Sequence, residues 1–131
     1  MSQRTLVAAV VGGLVAFGLG YVFYVLALAD FFAANGWQVM ETPTLWAIAA
    51  GEIVLGYLMA YIFSTWASIS TPAGGAKAGA LIAALMTLGV SLIIFGAQGE
   101  ITLVGVFADT VVTAVRWAVA GAAIGMVLGR A

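Results

Sequence analysis

Cysteine and histidine are both absent from this 131-residue sequence, and the two absences remove several classes of function. Without cysteine there is no disulfide, no thiol nucleophile and no thiolate metal ligand. Without histidine as well, bis-histidine haem, copper and structural zinc sites are not expected. The sequence therefore predicts neither a metal ion nor a cofactor.

Charged residues are scarce too, at 7% of the chain, whereas a soluble domain carries roughly a quarter. Hydrophobic residues make up 65%, so water cannot be the main solvent of the folded chain. The net charge is −1, and no run of lysine or arginine offers a surface to nucleic acid. This composition predicts an integral membrane protein that contacts the lipid bilayer and no nucleic acid.

Catalytic motifs are missing as well. The sequence has no Ser-His-Asp set, no phosphate-binding loop and no redox motif. Two carboxylates can in principle perform acid–base chemistry. Nothing marks a substrate, however, and we do not predict an enzyme.

What the sequence does contain is four long apolar segments with short polar connections, which predicts an all-α membrane protein of one domain, residues 1–131. A helix needs about 20 apolar residues to cross the hydrocarbon core. Thr42-Pro43 and Thr71-Pro72 are each typical of an N-cap followed by the first helical residue. The predicted transmembrane helices cover residues 5–29, 43–66, 76–96 and 101–128, in an up-down-up-down bundle.

The charges at the ends of these segments predict the orientation. With four spans, the basic residues fall on one side of the membrane: Arg4, Lys77 and Arg130. The acidic residues of the loops fall on the other side: Asp30, Glu41 and Glu100. By the positive-inside rule both termini are cytoplasmic. We expect a multi-pass protein of the cytoplasmic (inner) membrane of a bacterium.

The fourth segment carries an acid and a base at depths where lipid is expected. Thr102, Asp109, Thr113 and Arg116 follow one another at offsets of 7, 4 and 3 residues, which return to the same face of a helix. One face of the fourth span is therefore polar.

Other spans place polar residues at a similar depth. At 1.5 Å per residue, Glu52 and Asp109 each lie roughly 12 Å below the outer ends of their helices. Tyr21 and Ser91 come out at a similar level, and Arg116 lies about two turns deeper than Asp109. These positions predict a polar layer in the outer half of the membrane.

A charge at the centre of a transmembrane helix costs roughly 2.5–3.5 kcal/mol on insertion scales, so such residues need an explanation. One hypothesis is a binding site for a proton, an ion or a small polar solute in a transporter or channel-like protein. A second is a structural salt-bridge network of Glu52, Asp109 and Arg116 that fixes the helix register. A third is a non-catalytic accessory or scaffold subunit whose polar face binds a partner. The candidate site residues are Glu52, Asp109, Arg116, Tyr21, Ser91 and Thr113.

A row of glycines lies nearly opposite the polar face of the fourth span. Gly121, Gly125 and Gly129 form a small-x-x-x-small pattern, which allows close approach of another helix. That helix belongs either to the same chain or to a partner, namely a second copy or another membrane subunit.

The third and fourth segments also carry a resemblance to known proteins. GALIAALMTLGVSLIIFG followed by TLVGVFADTVVTAVRWAVAGAAIGMVLG resembles the C-terminal half of small bacterial four-helix membrane families of unknown function. In those families a glycine-rich third span precedes a fourth span with an early aspartate, and GYVFY resembles their first span more loosely. The resemblance covers about half of the chain and implies the fold, but no activity.

Overall fold

The described part of the chain, residues 3–37 and 43–130 of a computed structural model, consists of helices and connections, without a strand. Four helices are long and apolar enough to cross a membrane, so the protein is compatible with a multi-pass membrane protein. A short helix, α2, lies between the first two of them. The helices are α1 (Gln3–Ala27), α2 (Ala29–Ala34), α3 (Leu45–Ala67), α4 (Pro72–Gln98) and α5 (Leu103–Leu128).

The predicted spans match the four long helices, with differences at their ends. Helix α4 begins at Pro72 rather than at residue 76, because the Thr71 hydroxyl accepts a hydrogen bond from the Gly74 amide and caps the first turn. The predicted capping pair before the second span is wrong. Pro43 precedes the helix, which begins at Leu45 without a side-chain cap; Thr42 lies outside the described residues.

The long helices follow one another in space in the order α3, α1, α5 and α4. Helix α5 packs most extensively against α4 and also against α1, while α1 packs against α3. Helices α3 and α4 barely touch each other, although both approach the same side of α5. A cleft therefore remains between α3 and α4, and α5 forms its floor.

Glycine allows the closest of these contacts. A Cβ atom on Gly121 would overlap the Gly75 carbonyl oxygen of α4, and one on Gly125 would overlap the Thr71 carbonyl oxygen. Across the α1–α3 contact, a Cβ on Gly56 would overlap the Ala9 carbonyl oxygen. The glycine row of α5 thus packs against α4 of the same chain. Binding of a partner through that row stays a prediction.

The ends of the long helices meet in two groups. Gln3 of α1, Ser68 after α3 and Arg130 after α5 line one common groove. At the opposite end, the Thr102 amide donates to the Asn35 carbonyl oxygen at 3.1 Å, joining the connection after α2 to the start of α5. Consecutive long helices therefore run in opposite directions.

The first prediction concerns orientation. Because the chain has no cysteine, single-cysteine variants report one position each. If the basic end is cytoplasmic, a membrane-impermeant thiol reagent added to intact cells should label Ala34→Cys and leave Gln3→Cys and Ser70→Cys unlabelled. Both groups should react after permeabilisation. Labelling of Gln3→Cys or Ser70→Cys in intact cells would contradict the predicted orientation.

The second prediction concerns the α4–α5 contact. Gly125→Leu should lower the melting temperature in detergent, because overpacking of a tight contact typically costs about 1–3 kcal/mol. Gly89→Leu is the matched control, since a Cβ on Gly89 meets no atom within 4 Å. Equal melting temperatures for the two variants would contradict the close contact. Loss of an oligomer without loss of stability would place a partner at this row instead.

Candidate binding site

Arg116 is a buried charged side chain of α5, and its position depends on small residues of α1. Its Nε and Nη2 atoms donate to the Ala16 carbonyl oxygen at 3.3 and 3.1 Å. Gly20, one turn further along α1, leaves room for the guanidinium, because a Cβ there would lie only 3.2 Å from Nη2. The arginine therefore crosses the α1–α5 contact and reaches α3.

On α3 the partner of this arginine is Glu52. Arg116 Nη2 lies 2.7 Å from Glu52 Oε1, and the two side chains are 8% and 15% exposed. The second carboxylate oxygen, Oε2, is buried and has no hydrogen-bond partner among the described residues. A buried oxygen without a donor is unfavourable. Glu52 thus keeps an unused acceptor inside the structure.

Asp109 has a different environment. The Tyr24 hydroxyl donates a short hydrogen bond to Asp109 Oδ1 and lies 3.2 Å from the Thr113 hydroxyl oxygen. The hydroxyls of Thr113 and Ser91 lie close to the Asp109 carboxyl group, and the Arg116 guanidinium also acts on it electrostatically. No basic side chain in the described residues forms an ion pair with it. In the described part of the chain Asp109 is therefore held by hydroxyl groups and not by an ion pair.

Tyr24 connects the two halves of the site. Its ring centroid lies 5.5 Å from the guanidinium carbon of Arg116, within the range of a cation–π interaction. The ring centroid of Phe32, a buried residue of α2, lies 4.9 Å from that of Tyr24. The tyrosine is thus fixed between the arginine and α2, with its hydroxyl on Asp109.

Five of the six predicted site residues come together, and the sixth does not join their hydrogen-bond network. Tyr21 is 43% exposed, and its hydroxyl has no hydrogen bond with a described residue. It lines a separate cavity of about 180 Å³, which also borders Glu52 and Arg116. The residues that meet are Glu52, Ser91, Asp109, Thr113 and Arg116.

Sequence reasoning missed the role of Tyr24, although a signal was present. Small residues of α1 face its neighbours at positions 9, 13, 16 and 20, at spacings of four, three and four. Tyr24 continues this row by four residues, whereas Tyr21 leaves it. The row of small residues predicts which tyrosine faces inward.

The site opens into the cleft between α3 and α4, whose cavity measures about 290 Å³. The cavity is lined in part by two exposed side chains, Leu55 of α3 and Met86 of α4. Its polar lining residues are Tyr24, Glu52, Thr87, Asp109, Thr113 and Arg116.

A second cavity approaches the same residues from the end of the molecule that carries Asp30. It measures about 370 Å³ and is lined by Asp30, Trp37 and residues of α2, together with Tyr24 and Asp109. The Tyr24–Asp109 pair lines both cavities and therefore lies between them. A group that passed from one cavity to the other would meet the Asp109 carboxyl.

The site does not have the composition of a metal centre. In residues 3–37 and 43–130 no three acidic side chains lie close enough together to hold a metal ion. The arrangement instead offers one carboxylate without a basic partner, one ion pair and several hydroxyls. Such a set can exchange protons and hydrogen bonds with a small ligand.

Comparisons with known proteins add no further assignment. No protein family matches the chain, and no curated protein and no solved structure is significantly similar to it. The class of the protein therefore follows from its fold: four long apolar helices around a polar site.

The third prediction separates the two possible partners of Arg116. Arg116→Leu leaves Glu52 unpaired, and breaking a buried pair costs roughly 3–5 kcal/mol. Arg116→Leu combined with Glu52→Leu should recover much of that stability. A double-mutant cycle for Glu52 and Arg116, read from detergent melting temperatures, should therefore give strong coupling. The matched cycle for Asp109 and Arg116 should give weaker coupling, and the opposite order would contradict the pairing described above.

Proposed function

We propose that this protein is a small transporter or channel-like protein of the bacterial cytoplasmic membrane that handles a proton, an ion or a small polar solute. The observation that carries the proposal is the position of Asp109, which lines both the cleft between α3 and α4 and the cavity at the Asp30 end. A carboxylate shared by two cavities can take up a ligand from one and release it to the other.

The free-energy cost of placing polar residues inside a membrane supports a functional role for them. Ionisable side chains inside a membrane are expensive and by default mark ion or proton pathways. The Glu52–Arg116 ion pair accounts for one acid and for the single base among the described residues that line the cleft. Among the described residues it leaves Asp109 without an ion pair and Glu52 Oε2 without a hydrogen-bond donor. Both acids line the cleft.

The charges of the site favour a proton or a cation over an anion. When both acids are ionised, one arginine compensates one of them, and the site carries an excess negative charge. Hydroxyl groups of Tyr24, Thr87 and Thr113 supply further oxygen atoms around the cleft. Oxygen atoms and excess negative charge stabilise a cation or a hydrogen-bond donor.

In the proposed orientation the Asp30 end faces the outside of the cell and both termini face the cytoplasm. A ligand then enters by the cavity beside α2 and meets the Tyr24 hydroxyl and Asp109 first. The Glu52–Arg116 pair lies next to them along the cleft and holds α1, α3 and α5 together while the ligand passes.

The fourth prediction tests this function by flux. Purified protein in proteoliposomes should carry a current of H⁺, Na⁺ or K⁺ above that of empty liposomes under an imposed membrane potential. Asp109→Asn keeps the side-chain size and an acceptor for Tyr24, and it should reduce the flux to the empty-liposome rate at an unchanged melting temperature. Glu100→Gln is the matched control, because this acid is exposed and does not line the cleft.

Two results would contradict the proposal. One is a wild-type flux of all three ions equal to that of empty liposomes, together with no binding of a small organic cation to the cleft. The other is an Asp109→Asn variant with the full wild-type flux. The second result would leave Asp109 with a purely structural role.

The second candidate function is an accessory or scaffold subunit, and the separation of α3 and α4 favours it. The cleft between these helices opens between exposed apolar side chains such as Leu55 and Met86, where another helix can dock. Purification in mild detergent would then retain a partner subunit, and Leu55→Trp would release it without an effect on any ion flux.

A further inference from the structure

A second polar surface lies at the basic end of the molecule, away from the candidate binding site. There a groove of about 880 Å³ lies between the start of α1, the end of α3 and the end of α5. The residues that line this groove and those that line the cleft do not overlap. An inference from the groove therefore stands independently of the proposed function.

The groove is positively charged. Arg4 and Arg130 line it, and none of the described residues that line it is acidic. Within the described part of the chain, neither arginine side chain forms an ion pair or a hydrogen bond. Ser68 and Ser70 add hydroxyl groups at the rim. Two guanidinium groups and nearby hydroxyls supply the positive charge and the hydrogen-bond donors that can bind a phosphate group.

The floor of the same groove is apolar. Phe63 is fully buried beneath it, and Val127 and Leu128 line it from α5. Val7 of α1 also lines the groove and is 48% exposed on the lateral surface of the helix. The groove thus continues from two arginines to the apolar side of the molecule, which suits a ligand with a charged head and an apolar tail.

We propose that this groove binds an anionic glycerophospholipid. The phosphate lies between Arg4 and Arg130, and an acyl chain follows Val7 along α1. The helix ends of a spanning protein lie at the level of the lipid headgroups, where basic pockets between helices bind such lipids. A free phosphate would use the arginines and leave the apolar floor without a partner.

The test uses the purified full-length chain in a neutral detergent, titrated with dioleoyl phosphatidylglycerol, dioleoyl phosphatidylcholine or inorganic phosphate. Bound lipid is counted by native mass spectrometry, and the melting temperature is measured in parallel. Phosphatidylglycerol should bind most tightly and raise the melting temperature. Arg4→Gln combined with Arg130→Gln should weaken its binding roughly 10- to 30-fold, the effect of two basic residues near a headgroup.

Two further variants make the result specific. Lys77→Gln is the matched control, because this lysine lies in the first turns of α4, is exposed and does not line the groove. This variant should bind phosphatidylglycerol as tightly as the wild type does. Arg4→Lys combined with Arg130→Lys keeps both charges and should retain most of the binding, which separates loss of charge from a folding defect.

Three outcomes would overturn the proposal. Equal binding of phosphatidylglycerol to the wild type and to the double glutamine variant would show that the arginines are not part of the site. Binding of phosphatidylcholine as tight as that of phosphatidylglycerol would show that the groove does not select for an anionic headgroup. A rise in melting temperature with inorganic phosphate as large as that with phosphatidylglycerol would show a free-anion site in place of a lipid site.

Discussion

Arg116 is a charged side chain enclosed by apolar helices, and its interactions tie together three of the four long ones. It leaves α5, donates twice to the Ala16 carbonyl oxygen of α1 and ends on Glu52 of α3. Each contact compensates part of the desolvation that burial of a guanidinium imposes. A rotation of any of these helices about its axis would separate the charge from its acceptors. Arg116 therefore restricts the relative orientation of α1, α3 and α5.

The close approach of the helix backbones allows Arg116 to reach its partners on α1 and α3. The contact of α1 with α3 depends on Gly13 and Gly56, and that of α4 with α5 depends on Gly75 and Gly121. Without a hydrophobic effect between helices in lipid, such contacts are stabilised by van der Waals packing, which small residues allow. The two tight pairs meet mainly through α1 and α5, and α3 also reaches α5 through the Glu52–Arg116 ion pair. The space left between α3 and α4 is the cleft, so the cavity is a consequence of where the glycines lie.

The fold and the site differed in how far the sequence could predict them. Hydropathy predicts the four helices because each has 23 residues or more, enough to cross the hydrocarbon core. The polar face of α5 was also predicted in part, since Asp109, Thr113 and Arg116 line one cleft. Thr102 departs from that face because it lies at the helix end, where its hydroxyl caps Gly105.

Properties that depend on the relation between helices could not be read from single-helix patterns. Whether Arg116 pairs with Glu52 or with Asp109 depends on the position of α1 between α3 and α5. The cleft arises from a contact that is missing. Such properties produce no periodic pattern in the sequence.

The pairing of Arg116 also bears on the purpose of the polar residues. A network that served packing alone would satisfy its members, because each unpaired polar atom in a buried site destabilises the fold. Here one acid is paired by the arginine, but Glu52 Oε2 has no donor in the described residues and Asp109 has no ion-pair partner there. Replacement of such a network by apolar side chains often stabilises a protein. Acids that line a cavity at that disadvantage support the proposal of a bound ligand over packing alone.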